Sequence, residues 1–112
     1  MWSRVALRAQ TAALLAAALM CASPTASAQS VGDREAGWNL ARQWCVDCHV
    51  VDYAGHGADT APAFPAIARE RRGDQRWLRA WLAKPHPPMP NLNLSRGEID
   101  DVIAYLESLV RP

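Results

Sequence analysis

Cys45-Val46-Asp47-Cys48-His49 is the stretch on which the reading of this chain turns. Two thiols separated by two residues, with a histidine directly after the second, form C-x-x-C-H, the attachment pattern of c-type haem. The spacing has a chemical reason. Two thiols that far apart can bond to the two vinyl groups of one porphyrin, and the adjacent imidazole then lies beneath the ring, facing the iron. Two other chemistries use paired cysteines. A structural zinc site wants two further Cys or His ligands at suitable spacing, whereas His56 and His86 stand isolated. A thiol oxidoreductase sets C-x-x-C within a βαβ pattern, and no stretch of this chain reads as a convincing strand. The expected cofactor is one haem c with its iron, attached covalently through Cys45 and Cys48.

Upstream of the motif, the first residues have the form of a secretory signal peptide. Arg4 and Arg8 make a positive start, Ala9 to Met20 is almost wholly apolar apart from Gln10 and Thr11, and Ala26-Ser27-Ala28 is an A-x-A cleavage site. The apolar run falls short of the ~20 residues that a membrane-spanning helix needs. Residues 1–28 are therefore expected to be cleaved on export, which predicts a periplasmic protein without a membrane anchor. Cys21 is discarded with them, since Leu19-Met20 lacks the small residues of a lipid-processing site. Removing 28 of the 112 residues leaves one domain of 84, residues 29–112. A core of that size commonly leans on a metal or cofactor. Without Arg4 and Arg8 it carries ten Lys/Arg against eleven Asp/Glu, a formal charge of −1. That balance gives no footprint for nucleic acid.

Apolar periodicity predicts an all-α domain. Gly37, Leu40, Ala41, Trp44, Cys45 and Cys48 recur at helical spacing, predicting a helix from about Gly32 to Cys48 that aims both cysteines inward. Phe64 and Ile67 mark a shorter helical turn after Pro62. Trp77, Leu78, Trp81 and Leu82 form i, i+4 pairs on a helix starting near Asp74 and stopping before Pro85. Ser95 and Glu98 make a capping box, after which Ile99, Val102, Ile103, Leu106 and Val110 share one face. The run Arg69-Glu70-Arg71-Arg72 reads as solvated helix surface, with docking of an acidic redox partner as the alternative.

In this order, the amphipathic first helix, Cys45-Val46-Asp47-Cys48-His49, the Pro62 segment, the tryptophan-bearing helix, Lys84-Pro85-His86-Pro87-Pro88-Met89-Pro90 and the final helix with Ala104-Tyr105-Leu106 resemble the class I cytochrome c family. The resemblance spans nearly all of Gly32 to Val110. It implies a fold of three to five helices wrapped around one covalent haem. It also implies that Gly37 is where the first and last helices cross, with Tyr105 packed nearby. By the same likeness, the Pro62 carbonyl accepts the imidazole N–H of His49, although a plain turn proline would look the same from sequence. The indole N–H of Trp77 is the candidate to reach a haem propionate.

His49 alone would leave one face of the iron open, so a second ligand is expected. Met89, His86, His56 and Lys84 are the candidates. Met89 is favoured: it lies forty residues after His49 among four prolines, which fix φ, deny helix and hold a loop extended. A thioether is a weak neutral ligand and needs such support. His86 is the main rival, with an exposed loop histidine as its plainer reading; His56 falls between two glycines, and Lys84 would have to lose its proton. Histidine and methionine together would close the iron to substrate and favour Fe(II) relative to two imidazoles. The expectation is a single-electron carrier and not an enzyme, exchanging electrons with periplasmic or membrane-bound redox proteins as a monomer or as part of a redox complex. Two alternatives remain at this point. One is the haem subunit of a periplasmic dehydrogenase; the other is a haem enzyme or gas sensor in which methionine is displaced.

Overall fold

The computed structural model describes residues 32–84 and 86–111; the signal peptide expected over 1–28 lies outside them. Four α-helices make up the described chain: α1 Arg34–Leu40, α2 Phe64–Glu70, α3 Gln75–Ala83 and α4 Arg96–Ser108. Strand pairing among the described residues is confined to isolated bridges, His49 with Ala61 and His86 with Met89. The fold is all-α.

Helices α1, α3 and α4 each start where a side chain satisfies free amides. Asp33 caps α1 by accepting from the Ala36 amide at 2.8 Å, and Asp74 caps α3 through the Trp77 amide at 3.1 Å. Ser95 and Glu98 close both halves of the capping box of α4, at 3.2 and 2.8 Å. Pro65 sits in the first turn of α2, where its missing N–H costs nothing.

The helices gather on α4, which buries Ile99, Val102, Ile103, Tyr105 and Leu106. Its closest neighbour is α1, and Gly37 makes that approach possible. A Cβ there would stand 1.9 Å from the Asp101 carbonyl oxygen and 2.9 Å from Cβ of Tyr105, so only glycine fits the crossing. The Asp33 amide, donating to Asp101 at 2.6 Å, ties the start of α1 to the same turn of α4. From the other side, Arg79 on α3 pairs with the buried Asp100 of α4.

The first helix departs from the expected single stripe. Regular α-helix ends at Leu40, and the chain continues as a wider π-helical turn, Ala41–Cys45. Residues 46–48 form a further turn, closed by the Cys48 and His49 amides on the Cys45 carbonyl at 3.2 and 2.9 Å. The extra residue per turn breaks the 3.6-residue period on which the stripe was read. Gly37 and Ala41 are buried and Cys45 is half-buried, while Cys48 is exposed and Trp44 is 52 % exposed.

Candidate haem site

The segment from Val46 to Phe64 is stitched by backbone bonds in a way that fixes His49. The Ala58 amide donates to the Val46 carbonyl at 2.8 Å, Ala61 to Cys48 at 2.9 Å and Phe64 to Val50 at 2.8 Å. Gly57 belongs to the same arrangement. Its φ of +114° is left-handed, and a Cβ there would meet the His49 carbonyl oxygen at 1.9 Å. The local sequence trace of this closure is the pair Gly55 and Gly57 flanking His56.

His49 is held at one nitrogen. Its Nδ1 lies 2.6 Å from the Pro62 carbonyl oxygen, and because a carbonyl only accepts, Nδ1 carries the proton and, in the neutral ring, Nε2 keeps the lone pair. That is the tautomer of an imidazole that ligates metal through Nε2 with its other nitrogen anchored. Phe64 meets the ring edge-on, with centroids 5.4 Å apart.

Behind this face, Val51 is fully buried, and its carbonyl accepts the Tyr105 hydroxyl at 2.8 Å. Burial, with the nearby negative charge of Asp52, pushes the Tyr105 phenol up to about 12. Trp38 of α1 packs on the Tyr105 ring at 5.3 Å. Asp52 in turn holds His56, accepting from its amide at 3.1 Å and meeting its Nδ1 at 2.5 Å. Burial raises the Asp52 carboxyl, but the hydrogen bonds and charge of His56 and the amide of Gly55 outweigh it, leaving the group below its ordinary value. The bond from Tyr105 to Val51 joins residues 54 apart and left no local signature in the sequence.

The two thiols differ. Burial pushes Cys45 up to about 11, so a free thiol there stays protonated and uncharged. A redox-active dithiol needs the opposite, a first cysteine whose pKa is lowered towards neutrality. Among the described residues, no cluster of three or more His, Cys, Asp or Glu is placed to hold a metal ion as a zinc site would require.

On the tryptophan helix, Trp77 and Trp81 stack at 4.9 Å with ring planes 12° apart. The Arg71 guanidinium lies 3.7 Å above Trp77, so this member of the basic run covers an indole face, while Arg69 and Arg72 are exposed. Trp81 is 46 % exposed and meets the His86 ring at 4.0 Å. The loop that follows differs from the extended form expected of its prolines. His86-Pro87-Pro88-Met89 is a tight turn containing a cis Pro87–Pro88 bond, closed by the Met89 amide on the His86 carbonyl at 3.1 Å. His86 is half-buried instead of exposed, and so is Met89.

These residues fit a covalent haem on their own chemistry: an anchored imidazole with a free Nε2, two thiols beside it, a loop thioether, and indole surface left uncovered at Trp44 and Trp81. A histidine-bearing C-x-x-C-H turn carried by helices alone defines a small all-α protein of the c-type haem class. The Cytochrome c family model matches residues 35–110. Cytochrome c-552 of Bradyrhizobium diazoefficiens is 39 % identical over 93 residues, which cover 81 % of this chain and 88 % of that protein. No solved structure matches. The chain belongs to the cytochrome c family; its cofactor is covalently bound haem c, and it transfers electrons between redox partners without catalysing a reaction of its own.

Proposed function

We propose that the protein is a periplasmic single-electron carrier whose haem is attached through Cys45 and Cys48 and ligated by His49 and Met89. The observation that carries the reading is the bond from His49 Nδ1 to the Pro62 carbonyl at 2.6 Å, which leaves Nε2 as a lone-pair ligand directly after the two thiols. The haem supplies an iron that cycles between Fe(II) and Fe(III). The chain does the rest. Pro62 fixes the tautomer and orientation of His49, Gly57 allows the backbone to close behind it, and the turn at His86–Met89 presents a thioether.

Held by His49 and Met89, the haem would exchange one electron, and the two side chains would keep substrate from its iron. Trp77, between Arg71 and Trp81, is the candidate hydrogen-bond donor to a haem propionate. Export follows from Arg4, the apolar run to Met20 and the Ala26-Ser27-Ala28 site. No helix among the described residues is long and apolar enough to cross a membrane.

Intact mass of the purified protein and a redox titration test the proposal together. The expected result is a chain beginning at Gln29, plus one haem that acid acetone does not extract, titrating as one electron. The oxidised form should show the weak long-wavelength sulfur-to-iron band. Extractable haem, or retention of Met1 to Ala28, overturns the maturation scheme; absence of the band overturns Met89 as ligand.

A further inference from the structure

His86 and His49 are prepared in the same way. In each, Nδ1 lies within hydrogen-bond reach of a backbone carbonyl, Pro62 at 2.6 Å for His49 and Lys84 at 2.8 Å for His86. Since a carbonyl only accepts, both rings carry their proton on Nδ1 and, when neutral, leave Nε2 as a bare lone pair. That anchoring is what orients an imidazole for a metal. The free Nε2 of His86 stands 3.1 Å from Sδ of Met89, and the ring is steadied against Trp81 at 4.0 Å. A thioether has no hydrogen to offer, so in the neutral ring this approach sets two lone-pair ligands side by side. The turn through Pro87 and Pro88 holds them there.

We infer that His86 is a built-in reserve ligand: when Met89 is lost from the iron, His86 Nε2 takes the distal position and keeps the iron low-spin and closed. This rests on Met89 being the resident ligand. The exchange transfers no electrons and breaks only the iron–sulfur bond. Its consequence is a change of redox role, because two imidazoles favour Fe(III) relative to His/Met and lower the potential. Loss of the thioether from the iron would then turn the protein into a lower-potential carrier instead of exposing a reactive iron.

The test compares Met89→Ala, Met89→Leu and the double variants Met89→Ala/His86→Ala and Met89→Leu/His86→Ala as purified holoproteins. Leucine keeps the side-chain volume if alanine disturbs the loop. The single variants should lose the sulfur-to-iron band, stay low-spin with a lowered potential, and bind carbon monoxide at least about tenfold more weakly than the doubles, a difference of about 1.4 kcal/mol. The doubles should be high-spin and open. Single variants as open and high-spin as the doubles overturn the inference while leaving Met89 as ligand intact. A wild type without the band, whose low-spin state disappears in His86→Ala alone, overturns the Met89 reading and the inference with it.

Discussion

On the His49 side of the site, bonds from distant parts of the chain converge on residues 46–51: Tyr105 of α4 on the Val51 carbonyl, Phe64 of α2 on Val50, and Pro62 on His49 itself. On the Met89 side, the bonds that shape the turn start and finish close by, from Met89 to His86, from His86 to Lys84 and from Asn93 to Asn91. The proximal half is welded into the core of the fold, whereas the distal half is a local device. Stability should therefore respond mainly to the first and the spectroscopic and redox behaviour to the second. A weak neutral ligand suits the local half, since its replacement leaves the core standing.

The largest effect should come from removing the centre that both halves share. Cys45→Ala with Cys48→Ala is expected to give no covalent haem and little folded protein, because a domain of this size loses the cofactor that completes its core. Circular dichroism of the exported product checks it, and a folded helical double variant would contradict the account. Next is Gly57→Ala, which forces a side chain into left-handed backbone and against the His49 carbonyl. Its cost should be about 3 kcal/mol or more in denaturant unfolding.

Tyr105→Phe should cost about 1 to 2 kcal/mol by leaving the Val51 carbonyl without its donor. The same hydroxyl gives a pH signature. The folded phenol titrates near 12, above the 10 of an ordinary tyrosine, so the folded state holds its proton more tightly. Its stabilisation is complete below pH 10 and disappears as pH rises towards 12. Absorbance titration of the phenolate should lose that late step in Tyr105→Phe.

The smallest effect belongs to Asp52→Asn, which weakens the clamp on His56. The carboxyl titrates below its ordinary 3.8, so its contribution is present above that value and is lost as pH falls through the lowered one. With His56 exposed to solvent, a few tenths of a kcal/mol are expected at neutral pH. Thermal melts of wild type and variant should converge in acid. A loss as large as that of Gly57→Ala would break the contrast between backbone anchoring and surface pairing.

How much of this was readable beforehand followed the range of the interactions. The capping box at Ser95 and Glu98, the start of α3 at Asp74 and the buried face of α4 from Ile99 to Leu106 are local patterns, and each appears where the sequence puts it. The glycine crossing at Gly37 needed the family likeness to be seen at all. Periodicity did not foresee the wide turn at Ala41–Cys45, because such a turn carries no distinct composition. Proline content correctly denied helix to the distal loop but did not distinguish an extended run from a tight turn. The bond from Tyr105 to Val51 joins residues remote in sequence, where a single chain leaves no trace, and the closure of Gly57 on His49 leaves only the two glycines beside His56.

The carrier assignment depends on a closed iron, and exposure of the reduced wild-type holoprotein to carbon monoxide at neutral pH tests that most directly. With His49 and Met89 both in place, the ferrous spectrum should stay unchanged. A prompt shift to a carbon monoxide complex would show an accessible iron, contradict the carrier, and return the protein to the class of haem enzymes and gas sensors.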